Sequence, residues 1–224
     1  MSKGLFITAT DTDMGKTTIA LALMQYLKRS GYSVAAFKPV AAGCNNTASD
    51  LRNQDAIQLQ ASSSIKVDYA LLNPYAYEPP IAPHIAAEKT QQPIKIDTIK
   101  QCYEKIRRLA DWTIVEGAGG WLVPINKQQT MADVTLALDI PVVVVVGMKL
   151  GCINHTLLTF DSIKQHGCQI AGWIANTVDP DMDNFDDNLA FLKHKLPAPL
   201  LATIPYLQTT DKSIDVDIDL QAIV

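Results

Sequence analysis

Pro141-Val142-Val143-Val144-Val145-Val146 sets five β-branched residues in a row, with no polar residue at either parity. Successive side chains of a strand point to opposite faces, so a segment this apolar must be covered on both. Helices packed on the two faces of a parallel sheet provide that cover, so the expected fold class is α/β, a doubly wound, mainly parallel sheet flanked by helices. Other short runs read as its remaining strands: Leu5–Ala9, Ser33–Phe37, Trp112–Val115, Ile170–Ala175 and Leu200–Ile204. Segments of helical period fall between most of them. The 224 residues are read as one domain, 1–224.

Ligands of such sheets collect outside the carboxyl ends of the strands, which makes the residues after each strand informative. Leu5–Ala9 runs into Thr10-Asp11-Thr12-Asp13-Met14-Gly15-Lys16-Thr17-Thr18, and a helical segment, Ile19–Lys28, follows until Ser30-Gly31 stops it. A helix N-terminus offers unpaired N–H groups and partial positive charge to phosphate; Lys16 adds a cation and Thr17 a hydroxyl suited to Mg²⁺. The strict G-x-x-x-x-G-K-[ST] pattern is incomplete, because Thr10 stands at its first glycine. Lys38-Pro39-Val40 follows the second strand and Glu116-Gly117-Ala118-Gly119-Gly120 the third, putting a lysine and a carboxylate on the same edge. Asn176-Thr177-Val178-Asp179 has the outline of the Asn-Lys-x-Asp guanine signature, but Thr177 lacks the aliphatic stem that covers a base. The Asn176 amide suits the donor and acceptor edge of adenine, so ATP is expected rather than GTP.

Composition narrows the alternatives. A net charge of −4 leaves no excess of basic residues for nucleic acid. The longest apolar stretch, Ile140 to Gly147, is far too short to span a bilayer, and a cytoplasmic setting is expected. Cys44, Cys102, Cys152 and Cys168 lack the paired spacing of a zinc site and are read as reduced thiols; His84, His155, His166 and His194 have no metal-ligand spacing. Ser213–Leu220 alternates acidic and apolar residues, the pattern of an edge strand or surface strap rather than a membrane-binding helix.

Several segments together resemble the dethiobiotin synthetases, ATP-dependent enzymes of the P-loop NTPase superfamily with a deviant phosphate loop. They are Thr10–Thr17, Lys38-Pro39-Val40, Leu51-Arg52-Asn53-Gln54-Asp55, Asn73-Pro74-Tyr75, Pro83-His84, Val115–Trp121, Gly147–His155, Ala171–Asn176 and Pro197–Leu201. The resemblance implies that Asp13, Met14, Gly15, Lys16, Thr17 and Thr18 hold the triphosphate, with Asp55, Glu116, Gly117, Ala118 and Gly119 beside it. It further implies that Asn176, Thr177, Pro205, Tyr206 and Leu207 line an adenine pocket, and that Thr17, Asp55 and Glu116 hold Mg²⁺. Lys38 would be the principal catalytic lysine, with Lys16 and Thr12. Thr12, Lys38, Ala42, Gly119, Gly151 and Asn154 would face the diamine, 7,8-diaminopelargonic acid, the last two reaching the active site of a partner subunit in a homodimer.

In the reaction this family carries out, CO₂ adds to one amine to give a carbamate, whose oxygen attacks the γ-phosphorus of ATP. The second amine closes the ureido ring on the resulting carbamic-phosphoric anhydride and expels phosphate. Anions must be brought together, so lysines and a divalent cation suit the task and no protein nucleophile is needed. The chain departs from the family pattern at Ala42, where a serine is often found, at Ala9, where a glycine opens the loop, and at Asn188, where some members have a tyrosine. Two other classes share the loop: a cobyrinate-type amide ligase, which usually carries an additional glutaminase domain, and a nucleotide switch of the cell-division ATPase type, in which a second loop lysine is expected.

Overall fold

The computed structural model describes residues 2–48, 50–207 and 218. The chain starts with β1 (Lys3–Ala9), α1 (Lys16–Arg29) and β2 (Val34–Phe37). A more irregular stretch follows: β3 (Val40–Ala41), β4 (Asn45–Asn46), β5 (Leu51–Arg52), α2 (Gln54–Ser62), α3 (Tyr69–Leu72), β6 (Tyr75–Ala76), α4 (Pro83–Lys89) and α5 (Ile96–Ile106). Regular alternation then returns with β7 (Trp112–Glu116), α6 (Met131–Leu138), β8 (Val142–Met148), α7 (Cys152–Gln165), β9 (Ile170–Thr177), α8 (Phe185–Lys195) and β10 (Leu200–Ile204).

The expected strands form one six-stranded sheet in the order β10-β9-β8-β1-β7-β2, every pair parallel. Every residue of β8 is buried, as an unalternating valine run demands. One hydrophobic cluster extends through the sheet from Leu5 in β1 to Ile204 in β10 and takes in Ile218. The rest of Ser213–Leu220, where an edge strand or surface strap is expected, lies outside the described residues. No described helix is long and apolar enough to cross a membrane.

Strand order fixes what lies beside the phosphate loop. β1 is central, flanked by β8 on one side and β7 on the other, so the loop after it emerges between two wings of the sheet. The β7-β2 wing brings Glu116 and Lys38 to one side, and the β8-β9-β10 wing brings Asn176 and the segment after Ile204 to the other.

Candidate active site

The loop between β1 and α1 is tied down before any ligand arrives. Thr10 N–H donates to the Val145 carbonyl at 3.0 Å, and the Asn176 amide nitrogen donates to the Met14 carbonyl at 2.9 Å. Gly15, the residue before α1, is left-handed at φ 87°, and a Cβ there would lie 2.3 Å from Asn176 Nδ2. Only glycine meets both conditions. Because Gly15 has no capping side chain and the first turn of α1 has no acidic residue, the unpaired N–H groups and positive end of the helix remain available to an anion.

Four charged or hydroxyl side chains converge beside this helix start. Glu116, at the carboxyl end of β7, is 1% exposed; its Oε1 accepts from Lys38 Nζ at 2.6 Å and from the Thr17 hydroxyl at 2.9 Å. Lys38 Nζ also lies 3.7 Å from Asp55 Oδ2, in the first turn of α2. Parallel register explains the main contact: Phe37 pairs with Val115, so the next residues, Lys38 and Glu116, leave their strands side by side. Lys16 is also buried, and its Nζ donates to the Asp11 carbonyl at 3.4 Å. Burial first, and then the nearby charge of Lys38, hold the Lys16 ammonium below its ordinary pKa. A lysine penalised in this way gains from a polyanion that restores its counter-charge.

These groups line a cleft of about 860 Å³. Of the residues expected around the triphosphate and diamine, Thr12, Asp13, Gly15, Lys16, Thr17, Thr18, Lys38, Ala42, Asp55, Glu116, Gly117, Ala118 and Gly119 all reach it. Gly119 is left-handed at φ 61°, and a Cβ there would meet Val123 at 2.6 Å while facing Thr12. Another cavity, of about 720 Å³, lies at the opposite, amino end of the strands against Lys3 and Trp112, and none of these residues reaches it.

The expected adenine residues are brought together elsewhere, on the other wing. Asn176 pairs in register with Ile204, Thr177 Oγ1 donates to the Ile204 carbonyl at 2.8 Å, and Pro205, Tyr206 and Leu207 follow directly. The Asn176 nitrogen is committed to Met14, which leaves Oδ1 as the side-chain atom for recognition of a base amino group. Gly151 and Asn154 reach neither place: both are exposed at the start of α7. Asn154 does not cap this helix. Gly151, left-handed at φ 90°, takes the cap position, and Asn154 lies in the first turn.

Some of the cleft escaped the motif reading. Asn53, Gln58 and the wall formed by Pro80, Ile81, Ala82, Val123 and Pro124 line it, yet none carries a residue type that marks a phosphate site. Asn53 had a readable signal: an Asn ahead of Gln54-Asp55 is a helix cap, and its Oδ1 does accept from Ala56 N–H at 3.1 Å.

No group of three or more His, Cys, Asp or Glu side chains among the described residues is arranged to hold a metal ion. The polar set at the cleft is a mixed one, Thr17 with Asp55 and Glu116. Glu116 Oε2 is buried and has no hydrogen-bond partner among the described residues.

A family model described as an AAA domain matches residues 3–213. The ATP-dependent dethiobiotin synthetase of Cellvibrio japonicus is 47% identical over 205 residues, covering 92% of this chain and 90% of its own. That of Escherichia coli is 44% identical over 207 residues, covering 92% of each. Among solved structures, the septum site-determining protein MinD of Pyrococcus horikoshii, complexed with Mg-ADP, matches with a TM-score of 0.56 at 17% identity over 92% of this chain and 82% of its own. A ParA family ATPase of Chlorobium tepidum matches with a TM-score of 0.54 at 14% identity over 93% of this chain and 86% of its own. At such identities the likeness is one of fold.

Proposed function

The chain belongs to the ATP-dependent dethiobiotin synthetases, and from that premise we propose that its cleft carboxylates and cyclises 7,8-diaminopelargonic acid with CO₂ at the expense of ATP, giving dethiobiotin, ADP and phosphate. The observation that carries this reading is the Lys38–Glu116–Thr17 cluster, facing the start of α1 across a cleft with room for a second substrate. The triphosphate lies on the helix start and Lys16, with its adenine toward Asn176, Thr177 and Pro205–Leu207, and its γ-phosphate toward Lys38. The diamine occupies the β7-β2 side, between Thr12, Ala42 and Gly119. The carbamate oxygen bonds to the γ-phosphorus as the bond to ADP breaks; the second amine then bonds to the carbamoyl carbon and phosphate leaves. Lys38 and Lys16 offset the repulsion between carbamate and triphosphate, and the loop holds the attacking and leaving oxygens in line.

Mg²⁺ fits this site. Thr17, Asp55 and Glu116 are the hard oxygen donors this ion takes, and the free Oε2 of Glu116 is an uncommitted buried acceptor. When bound, the ion would supply positive charge against the phosphate oxygens. The cell-division ATPases share the fold at 17% identity or less, and no second loop lysine accompanies Lys16 in Thr10–Thr18, so a switch function has no separate support. Loop, cleft and base-binding residues together draw on positions 12 to 207, which supports reading the chain as one domain. A phosphate-release assay with ATP, Mg²⁺, bicarbonate and the diamine, each omitted in turn, tests the reading. Turnover that needs all four supports it; equal turnover without the diamine overturns it.

Ala42→Ser is expected to lower the diamine KM by about threefold to tenfold, the worth of one hydroxyl hydrogen bond, with the ATP KM unchanged. Ala42 lines the cleft, and its carbonyl already accepts from Asn53 at 3.3 Å, so the added hydroxyl would point from an anchored loop. Unaltered diamine kinetics would show that another group fills this role.

The enzyme works as a homodimer in which Asn154 completes the partner's site. Since Asn154 caps nothing, Asn154→Ala should leave thermal stability unchanged while raising the diamine KM. Mixing Asn154→Ala and Lys38→Gln subunits should restore one intact site per heterodimer. No recovery despite demonstrated subunit exchange would contradict sharing.

A further inference from the structure

Asn73-Pro74-Tyr75 takes no part in the cleft, yet Asn73 is 4% exposed and all of its side-chain hydrogen-bonding groups are engaged. Its Nδ2 donates to the Lys38 carbonyl at 2.6 Å and to the Tyr75 carbonyl at 3.5 Å; its Oδ1 accepts from the Tyr69 hydroxyl at 3.2 Å. Only this amide orientation works, because the flipped one would turn an oxygen toward two carbonyl oxygens.

The need for such a residue follows from the topology. β2 is the edge of the sheet, and Lys38 lies one residue beyond it, before Pro39, which has no N–H to donate. Residues 72 and 73 take the place of a neighbouring strand. Lys38 N–H donates to the Leu72 carbonyl at 2.9 Å, and Asn73 takes the Lys38 carbonyl, so both backbone polar groups of Lys38 are held from this one segment.

The chain of contacts continues. The Tyr69 hydroxyl accepts from Asn53 N–H at 2.8 Å, and the Asn53 side chain caps α2, whose first turn carries Asp55. Asp55 then returns to Lys38 Nζ at 3.7 Å. Burial raises the Tyr69 pKa, which keeps the phenol protonated as a donor to Asn73. The Arg52 guanidinium lies over the Tyr69 ring, 4.0 Å from its centroid.

We infer that Asn73, through Tyr69 and Asn53, is the positioning residue that sets the Lys38 ammonium against Glu116 and Asp55 for phosphoryl transfer. This rests on Lys38 being the catalytic lysine of the reaction proposed above. A misplacement of about 1 Å at a reacting group costs on the order of a hundredfold in rate, which is the scale expected when the Lys38 backbone loses its anchor.

The test is steady-state kinetics of diamine-dependent phosphate release at a temperature where far-UV circular dichroism shows every variant folded. Asn73→Ala should lower kcat by about tenfold to a hundredfold and leave the ATP KM within about twofold, because Asn73, Tyr69 and Asn53 bond to Lys38, Tyr75, Ala42 and α2 and not to the phosphate loop. Tyr69→Phe, which removes one hydroxyl from a retained ring, should lower kcat by about threefold to tenfold and serves if Asn73→Ala does not fold. In a Lys38→Gln background both effects should shrink to less than about twofold, since a positioning residue has nothing left to position. A folded Asn73→Ala or Tyr69→Phe with wild-type kcat, or an equal loss with Lys38 already replaced, would overturn the inference. Absence of diamine-dependent turnover in the wild type would instead overturn the proposed reaction.

Discussion

Lys38→Gln is expected to lower kcat by about a hundredfold to a thousandfold and leave the ATP KM within about threefold, the loss typical of removing one preorganised group that stabilises charge in the transition state. Lys38 is buried, 2.6 Å from Glu116 and 3.7 Å from Asp55, so its ammonium is held where water cannot replace it. Glutamine keeps a hydrogen-bond donor for Glu116 and removes only the positive charge, which is what the attacking carbamate and the γ-phosphate need. Removing that charge also leaves Glu116 buried with a neutral partner, so some loss of thermal stability should accompany the kinetic one. Measuring kcat at a temperature well below the variant's own melting point separates the two. A folded Lys38→Gln enzyme with kcat within about threefold of wild type would remove Lys38 from the catalytic residues.

Lys16→Gln should fail differently. Its ammonium serves the triphosphate in both ground and transition states, so ATP affinity should fall by about tenfold to a hundredfold, and turnover with it. The nucleotide-free protein should become more stable, because the ammonium that is lost is buried and close to Lys38. A higher melting temperature is expected for the nucleotide-free protein, together with a smaller further rise when ATP is added. The pH dependence has a definite sign. Folding lowers the Lys16 pKa, so between that lowered value and the ordinary 10.5 the unfolded chain binds more protons than the folded one. The penalty from this group is therefore full below the lowered pKa and is relieved as pH rises toward 10.5. ATP favours the charged form, so wild-type affinity should fall with rising pH across the same window, while that of Lys16→Gln should not. Identical affinity profiles for the two proteins, read by calorimetry, would show that Lys16 does not meet the phosphates.

The six strands of the sheet were legible because each is a short β-branched or apolar run, and the valine run required cover on both faces. The two-residue pairs β3–β6 and β4–β5 were not, since two residues have no period and their partners are distant in sequence. Lys38 and Glu116 could be named from the sequence, but their contact could not. It depends on β2 lying beside β7, an adjacency that strand spacing does not encode. Asn73 shows the same limit more sharply: it is remote in sequence from the lysine that it anchors, and only the sheet edge reveals why it is there. At the start of α7 the cap position belongs to Gly151, left-handed at φ 90°, and Asn154 lies three residues further on in the first turn.

The central claim is that the γ-phosphate of ATP is taken by a carbamate oxygen and not by water. Reaction of ATP and the diamine with oxygen-18-labelled bicarbonate, quenched before exchange with solvent, reads this directly by mass spectrometry of the released phosphate. Attack by the carbamate predicts labelled oxygen carried into phosphate, in step with dethiobiotin formed; phosphate that draws its new oxygen from solvent water would contradict the account.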